Sequence, residues 1–330
     1  MAPKTKLDIV FGAMTFGKEG EEQVGTSNLS DCAAILSTFQ SHSHTEIDTS
    51  RFYGSGSSET YLAALKWKDR GLVMDTKFYP NVNGIMGRPK THLDAATMRA
   101  GLAESLEALG GVEKVDLWYL HGPDRSIPLE ETVKTVDELY KEGKFRRWGV
   151  SNYMAWEVAA ICEICNREGY KRPEVYQGVY NALHRTIENE LLPCLRKYNI
   201  AFYAFNPLGG GYLTNRYHRD TPTSSIVPGS RFDPNRLQGK MYRARYWNDA
   251  YFDALDVVRP ACKEAGLRES EAALRWMMHH SKLDKKYGDK VIIGASTVAQ
   301  LEQNLEDFEK GELPEGMLGL LIRGGSCAGG

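Results

Sequence analysis

The sequence predicts an α/β fold, a (β/α)8 TIM barrel, on three observations. Short apolar, β-branched segments alternate strictly with helix-like stretches, the pattern of a parallel sheet covered by helices. Eight such units occur, which favours closure into a barrel over an open doubly wound sheet. No G-x-G-x-x-G follows an early strand, which weighs against a Rossmann fold. A chain of 330 residues suits one such barrel, which needs roughly 250 residues plus loops.

In chain order, the first strand is expected at 8–11, where Asp-Ile-Val-Phe is followed by a helix over 31–41. The short run 46–48 precedes a helix at 59–66, and 73–76 precedes one at 94–109. The apolar run 116–120 leads to 129–142, and 148–150 to 153–168. Strands at 175–179 and 201–204 are followed by helices at 188–198 and 249–265. The last strand, 291–293, follows an extra helix at 270–280 and feeds the helix 298–309. Gly209-Gly210-Gly211 comes just after the seventh strand, where barrels often bind phosphate. The stretch 212–247 reads as irregular, too long for a plain connection, and rich in aromatics and arginines, as a functional lid would be.

With 41 basic and 43 acidic residues, the charge balance gives no reason to expect a nucleic-acid or membrane partner. No apolar run approaches the roughly 18 residues of a membrane span. Met1-Ala2-Pro3-Lys4 leads straight into the first strand, so no signal peptide is expected. Six cysteines do not make a disulfide framework in a chain of this length. Cys162 and Cys165 form a C-x-x-C inside a helical stretch with no second pair, so neither a metal nor a redox role is expected. A cytoplasmic location follows as the expectation.

Four polar residues fall at or just beyond the carboxyl ends of early strands, the face of a barrel where reactive side chains converge. Asp48 ends the second strand, Tyr53 follows in Arg51-Phe52-Tyr53-Gly54, Lys77 ends the third and His121 the fourth. Singly, each has a plain structural explanation: Asp48 as a turn or helix cap, Lys77 as a solvated strand end, His121 as a polar turn residue before Gly-Pro. Together they form a proton-transfer device. Reducing a carbonyl with hydride requires a proton for the developing alkoxide and a group to stabilise its charge. A free tyrosine, with pKa about 10, is a poor acid near neutrality. An adjacent ammonium is expected to lower that value, a carboxylate to keep the ammonium charged, and His121 to hold the substrate oxygen.

These residues resemble the aldo-keto reductase superfamily. The likeness is carried by Asp48-Thr49-Ser50-Arg51-Phe52-Tyr53-Gly54 with Ser58-Glu59, then Thr76-Lys77, Leu120-His121 and Gly149-Val150-Ser151-Asn152. Phe11-Gly12-Ala13-Met14, Asn206-Pro207-Leu208, Gly229-Ser230-Arg231-Phe232 and Tyr242-Arg243-Ala244-Arg245 look like its aflatoxin-aldehyde reductase branch. The resemblance implies NADPH bound across the barrel mouth, with Ser151, Asn152 and Gln177 on the nicotinamide carboxamide and Phe205 stacked on the ring. It further implies that the segment from Asn206, Pro207 and Leu208 through Gly210 to Arg216 tracks the pyrophosphate. Ser296, Gln300 and Asn304 match the positions at the adenosine end, and the charge for a 2′-phosphate is expected from Arg231 or another loop cation. NADPH rather than NADH rests on the branch.

For a small-molecule carbonyl substrate, the branch suggests Tyr242 and Arg245, with Met14, Phe16, Tyr79 and His121 lining the pocket. An arginine there favours an acidic aldehyde or a vicinal dicarbonyl, although Arg245 also reads as a solvated loop cation. A homodimer is expected from the branch alone. The Gly-rich tail 317–330 departs from the branch, which has a further helix and an aromatic closing segment, and it is expected to fray. An altered tail also leaves open a folded enzyme of low activity. The alternative function is a cofactor-binding regulatory subunit. Potassium-channel β subunits resemble the same superfamily and keep the four polar residues. Against that reading, no extended segment precedes the first strand and the branch motifs point elsewhere.

Overall fold

The computed structural model describes residues 3–317. Its strands are β1 (Asp8–Gly12), β2 (Glu46–Asp48), β3 (Val73–Phe78), β4 (Val115–Leu120), β5 (Phe145–Ser151), β6 (Val175–Val179), β7 (Ala201–Phe205) and β8 (Lys290–Ile293). All neighbouring pairs are parallel, and β1 bonds to both β2 and β8, so the sheet closes on itself. This is the predicted (β/α)8 barrel. The helices are α1 (Leu29–Ser41), α2 (Ser57–Ala64), α3 (Ala95–Ala108), α4 (Leu129–Lys141), α5 (Ala155–Glu168), α6 (Leu191–Tyr198), α7 (Leu237–Tyr246), α8 (Asp249–Glu264), α9 (Glu269–His279) and α10 (Val298–Glu309).

Strand periodicity divides the core in two, because successive side chains point to opposite faces. In β4, Leu117 and Tyr119 join Val10, Val175, Ala201, Tyr203 and Ile292 inside the barrel. Trp118 and Leu120, one residue out of phase, join the larger layer between barrel and helices. Fully burying each large apolar side chain there contributes about 1.5–3 kcal/mol. Several helices start where a side chain caps the free backbone N–H groups: Asn28 for α1, Asp94 for α3, Asn248 for α8 and Thr297 for α10.

The stretch 212–247 is not irregular throughout, because α7 occupies its last third. Its start carries no sequence signal: Arg236 at the N-cap position makes no side-chain cap. Tertiary packing holds it instead. A Cβ on Gly239 would lie 1.7 Å from the backbone oxygen of Asp233, so α7 presses directly on the turn before it. We expect Gly239→Ala to destabilise this segment by about 1–3 kcal/mol, as overpacking does. Denaturant melts and limited proteolysis between residues 212 and 247 check this. The tail called atypical, 317–330, lies outside the described residues beyond Met317.

Candidate active site

The polypeptide leaves β2 at Asp48 and is pinned at once. Thr49 Oγ1 lies 2.8 Å from Ser58 Oγ, which donates to the Ala13 carbonyl at 2.8 Å. Arg51 donates to Gly56 O at 3.0 Å and pairs with Glu59, whose other oxygen accepts from Thr76 Oγ1 at 2.6 Å. This brace carries the short 3-10 turn Tyr53–Gly56, in which Ser55 sits at a left-handed φ of 55°. A non-glycine residue there is strained, and the surrounding bonds hold it.

The result is a compact polar cluster at the carboxyl end of the barrel. Lys77 Nζ donates to Asp48 Oδ2 at 2.6 Å, to Thr49 O at 2.8 Å and to Tyr53 Oη at 3.3 Å. Gln177 Nε2 donates to the other Asp48 oxygen at 2.8 Å. Lys77 is 0% exposed, Asp48 3% and Tyr53 8%, so these contacts act in a low-dielectric setting. The His121 ring meets the Tyr53 ring edge-on at 5.7 Å, and its Nδ1 lies 3.3 Å from Ser50 Oγ.

Burial disfavours every charged form in this cluster, and the mutual charges decide the balance. For Lys77, burial is opposed and outweighed by Asp48 and Tyr53, so the ammonium is held above its ordinary pKa. For Asp48, burial pushes the pKa up against the pull of Lys77 and Gln177. Tyr53 corrects an expectation: burial raises its pKa, and the lowering by Lys77 offsets only part of that. The phenol is thus held in its protonated form at neutral pH. His121 is pushed well below its ordinary value by burial and then by Lys77, so its imidazole is neutral.

Tyr53 and His121 open into a long cavity of about 1930 Å³, with Lys77 behind the wall. Ser151, Asn152, Gln177 and Phe205 line it, as do Asn206, Pro207, Leu208, Gly210 and Arg216. Ser296, Gln300, Asn304 and Arg231 line the same cavity. Met14, Tyr79, Tyr242 and Arg245 also line it.

Phe16, expected in the pocket, is fully buried against Phe11 with ring centres 5.2 Å apart. The 3-10 turn Ala13–Thr15, closed by Phe16 N donating to Ala13 O at 3.0 Å, turns it into the core. Tyr242 does not stand free either. Its hydroxyl donates to Asn206 Oδ1 at 2.8 Å and accepts from Arg231 at 2.8 Å, tying the lid to the barrel rim.

A family model described as "Aldo/keto reductase family" matches residues 8–321. The chain belongs to the aldo/keto reductase family. It is 47% identical to "Aldo-keto reductase pigE" of Monascus ruber, over 98% of this chain and 95% of that protein. It is 42% identical to the human "Aldo-keto reductase family 7 member A3", over 92% of this chain and 89% of that one. The human "Aflatoxin B1 aldehyde reductase member 4" is 39% identical over the same shares. The branch resemblance read from the motifs agrees with these relatives.

In this aldo/keto reductase, sequence reasoning missed part of the cavity wall: Phe52, Ile85, Met86, Val227 and Met241. Phe52 had one available signal, its place beside Tyr53, and it packs on Tyr79 at 4.6 Å. Ile85, Met86 and Val227 come from connecting segments whose sequences carry no periodicity, and Met241 from α7, whose start carries no sequence signal. Among the described residues, no helix is long and apolar enough to cross a membrane.

Proposed function

We propose that the chain is an NADPH-dependent reductase of aldehydes or ketones in which Tyr53 is the proton donor. The observation that carries this is the contact of a buried, protonated phenol with a buried ammonium at 3.3 Å, at the mouth of the cavity. Lys77 keeps Tyr53 oriented and stabilises the phenolate formed when the proton leaves. Asp48 keeps the lysine charged. Neutral His121, with Nδ1 against Ser50, has Nε2 left to donate to the carbonyl oxygen.

The residues fit a dinucleotide. The cavity is about 1930 Å³, well above the roughly 300–1,000 Å³ of an ordinary ligand pocket. Gly209, Gly210 and Gly211 all hold positive φ, and Gly211 faces open space where a Cβ would stand, so backbone can approach a pyrophosphate closely. Asn206 Nδ2 is buried without a protein partner and is free to donate to a ligand. Arg216, Lys263 and Arg268 line the same cavity as Ser296 and Gln300, a charge suited to a 2′-phosphate. When bound, the reduced nicotinamide supplies hydride to the carbonyl carbon. Gln177 gives one amide N–H to Asp48, and its carbonyl oxygen and second N–H remain for the carboxamide.

The test is oxidation of NADPH, and separately NADH, by the full chain against carboxylated, aromatic and dicarbonyl substrates. Turnover with at least one class, faster with NADPH, is expected. Tight cofactor binding with no turnover on any class would instead favour a regulatory subunit. For the substrate, Arg245 lines the cavity with its guanidinium 5.9 Å from the Tyr246 ring. We propose that it takes a substrate carboxylate. Arg245→Ala should then raise KM roughly 10- to 100-fold for a carboxylated aldehyde, the worth of a charged hydrogen bond, and leave a neutral one unchanged. An equal effect on both would remove Arg245 from the recognition site.

A further inference from the structure

Beneath the catalytic cluster the barrel interior holds a second polar layer to which no function has been given. Asp75 lies two residues before Lys77 in β3 and so shares its inward face. It is directly opposite Asp48 across the β2–β3 seam. Its side chain is 0% exposed, and neither carboxyl oxygen has a hydrogen-bond partner in the protein. On the next strand, the hydroxyl of Tyr119 is equally buried and equally without a partner. After burial itself, Asp75 is the strongest influence on that hydroxyl.

An unpaired carboxylate in such a place costs several kcal/mol, so the group either pairs or takes up a proton. The groups around it decide which. Glu46 and Asp48 on β2 and Asp116 on β4 repel a negative charge there, and Arg147 on β5 favours it. Arg147 is already committed to Asp116, to Glu46 and to the Tyr203 hydroxyl, and Lys290 on β8 is paired with Glu46. Lys77, on Asp75's own strand, is spent on Asp48 and Tyr53. Asp75 is therefore held as the neutral acid, well above the ordinary carboxylate range, by burial and by its acidic neighbours.

Each turnover removes one proton from Tyr53, and the mouth above it is the side where substrate and cofactor enter. The interior below is the other route by which a proton can return. We propose that Asp75 is the internal proton reservoir of the enzyme, coupled through a water shared with Tyr119 to the Asp48–Lys77–Tyr53 cluster. A buried water takes two to four polar partners, and both Asp75 carboxyl oxygens and the Tyr119 hydroxyl lack one within the protein.

The step balances as one proton moved along a chain. Tyr53 O–H breaks as the product O–H forms. Lys77 Nζ returns a proton to the phenolate and is left as the amine. The Asp48 carboxylate receives a proton, through the water, from the Asp75 carboxyl and hands it on to that amine. Asp75 is left as a carboxylate whose charge Arg147 favours, and a proton from solvent restores the acid before the next turnover. Asp75 is thus a positioning residue that acts through Asp48. The inference rests on the proposed role of Tyr53.

The test compares the full chain with its Asp75→Asn, Tyr119→Phe and Tyr53→Phe variants. Infrared difference spectra of wild type against Asp75→Asn, at neutral pH and without ligand, should contain the C=O stretch of an undissociated carboxylic acid. With a reducible aldehyde, Asp75→Asn should lower kcat by about tenfold, short of the ~10²–10⁴ of a direct acid. KM should stay within about twofold and the solvent deuterium isotope effect on kcat should rise, which a merely structural role would not produce. An infrared spectrum with only a carboxylate at this position, or unchanged kcat and isotope effect in Asp75→Asn, overturns the proposal. Should Asp75→Asn not fold, Tyr119→Phe keeps the ring packing and must displace the wild-type acid band and raise the isotope effect; if both stay put, the reservoir is refuted. Full turnover by Tyr53→Phe would remove the catalytic reading, while the infrared result would still stand or fall alone.

Discussion

Tyr53→Phe is expected to lower kcat by roughly 10²–10⁴, the usual worth of a positioned general acid. The ring stays in place, because its packing against His121 and beneath the Lys77 ammonium, 4.8 Å from the ring centre, does not depend on the hydroxyl. Lys77 loses one acceptor and keeps Asp48 and the Thr49 carbonyl. Thermal stability and cofactor affinity should therefore change little, while turnover collapses. Steady-state kinetics beside a thermal melt and a cofactor titration separate these. A variant that keeps full turnover ends the proton-donor proposal.

Lys77→Met should cost nearly as much activity and, unlike Tyr53→Phe, should also cost stability. Methionine replaces most of the aliphatic stem, but Asp48 is left with Gln177 as its side-chain donor in a site that is 3% exposed. Removing one partner of a buried ion pair typically destabilises by about 3–5 kcal/mol. Asp48 escapes part of this by taking a proton, since burial already raises its pKa and Lys77 is the main force opposing it. The sign follows by linkage. A carboxyl whose folded pKa exceeds its unfolded one binds more protons when folded, so its variant loses stability as pH rises above about 4, the unfolded value, until the folded pKa is passed. The gap in Tm between wild type and Lys77→Met should therefore widen from pH about 4 towards neutrality. A gap that narrowed would show that Asp48 is not the group left uncompensated.

The barrel was legible because its strands obey a simple periodicity. Each of the eight expected strands lies within an observed one, and β2 and β6 have the expected limits. Errors cluster where local signals vanish. The strand β5 begins at Phe145 rather than Trp148 because Arg146 and Arg147 interrupt its apolar run, yet both arginines are held by Asp116. The helix α7 buries Tyr242 and Tyr246 rather than an aliphatic stripe, and its start lacks a cap.

In the site, Asp48, Tyr53, Lys77 and His121 were readable from residue type and strand position. Phe16 was not, since sequence proximity to Met14 says nothing about a turn that sends it to the other side of the wall. The charge balance was the least legible part. An ammonium beside Tyr53 suggested a lowered pKa, but the sequence does not reveal that the ring is buried deeply enough to reverse the sign. Asp75 likewise read as one more strand residue until the absence of any protein partner for its carboxyl became visible.

The lid has a consequence for how such an enzyme diversifies. The proposed acid–base groups stand on or just after β2, β3 and β4, whereas Val227, Met241, Tyr242 and Arg245 all belong to a single excursion between β7 and α8. On the proposed reading, preference among carbonyl compounds lies largely in a cassette whose exchange leaves the proton chemistry alone, provided the Tyr242–Asn206 tether that docks it is retained.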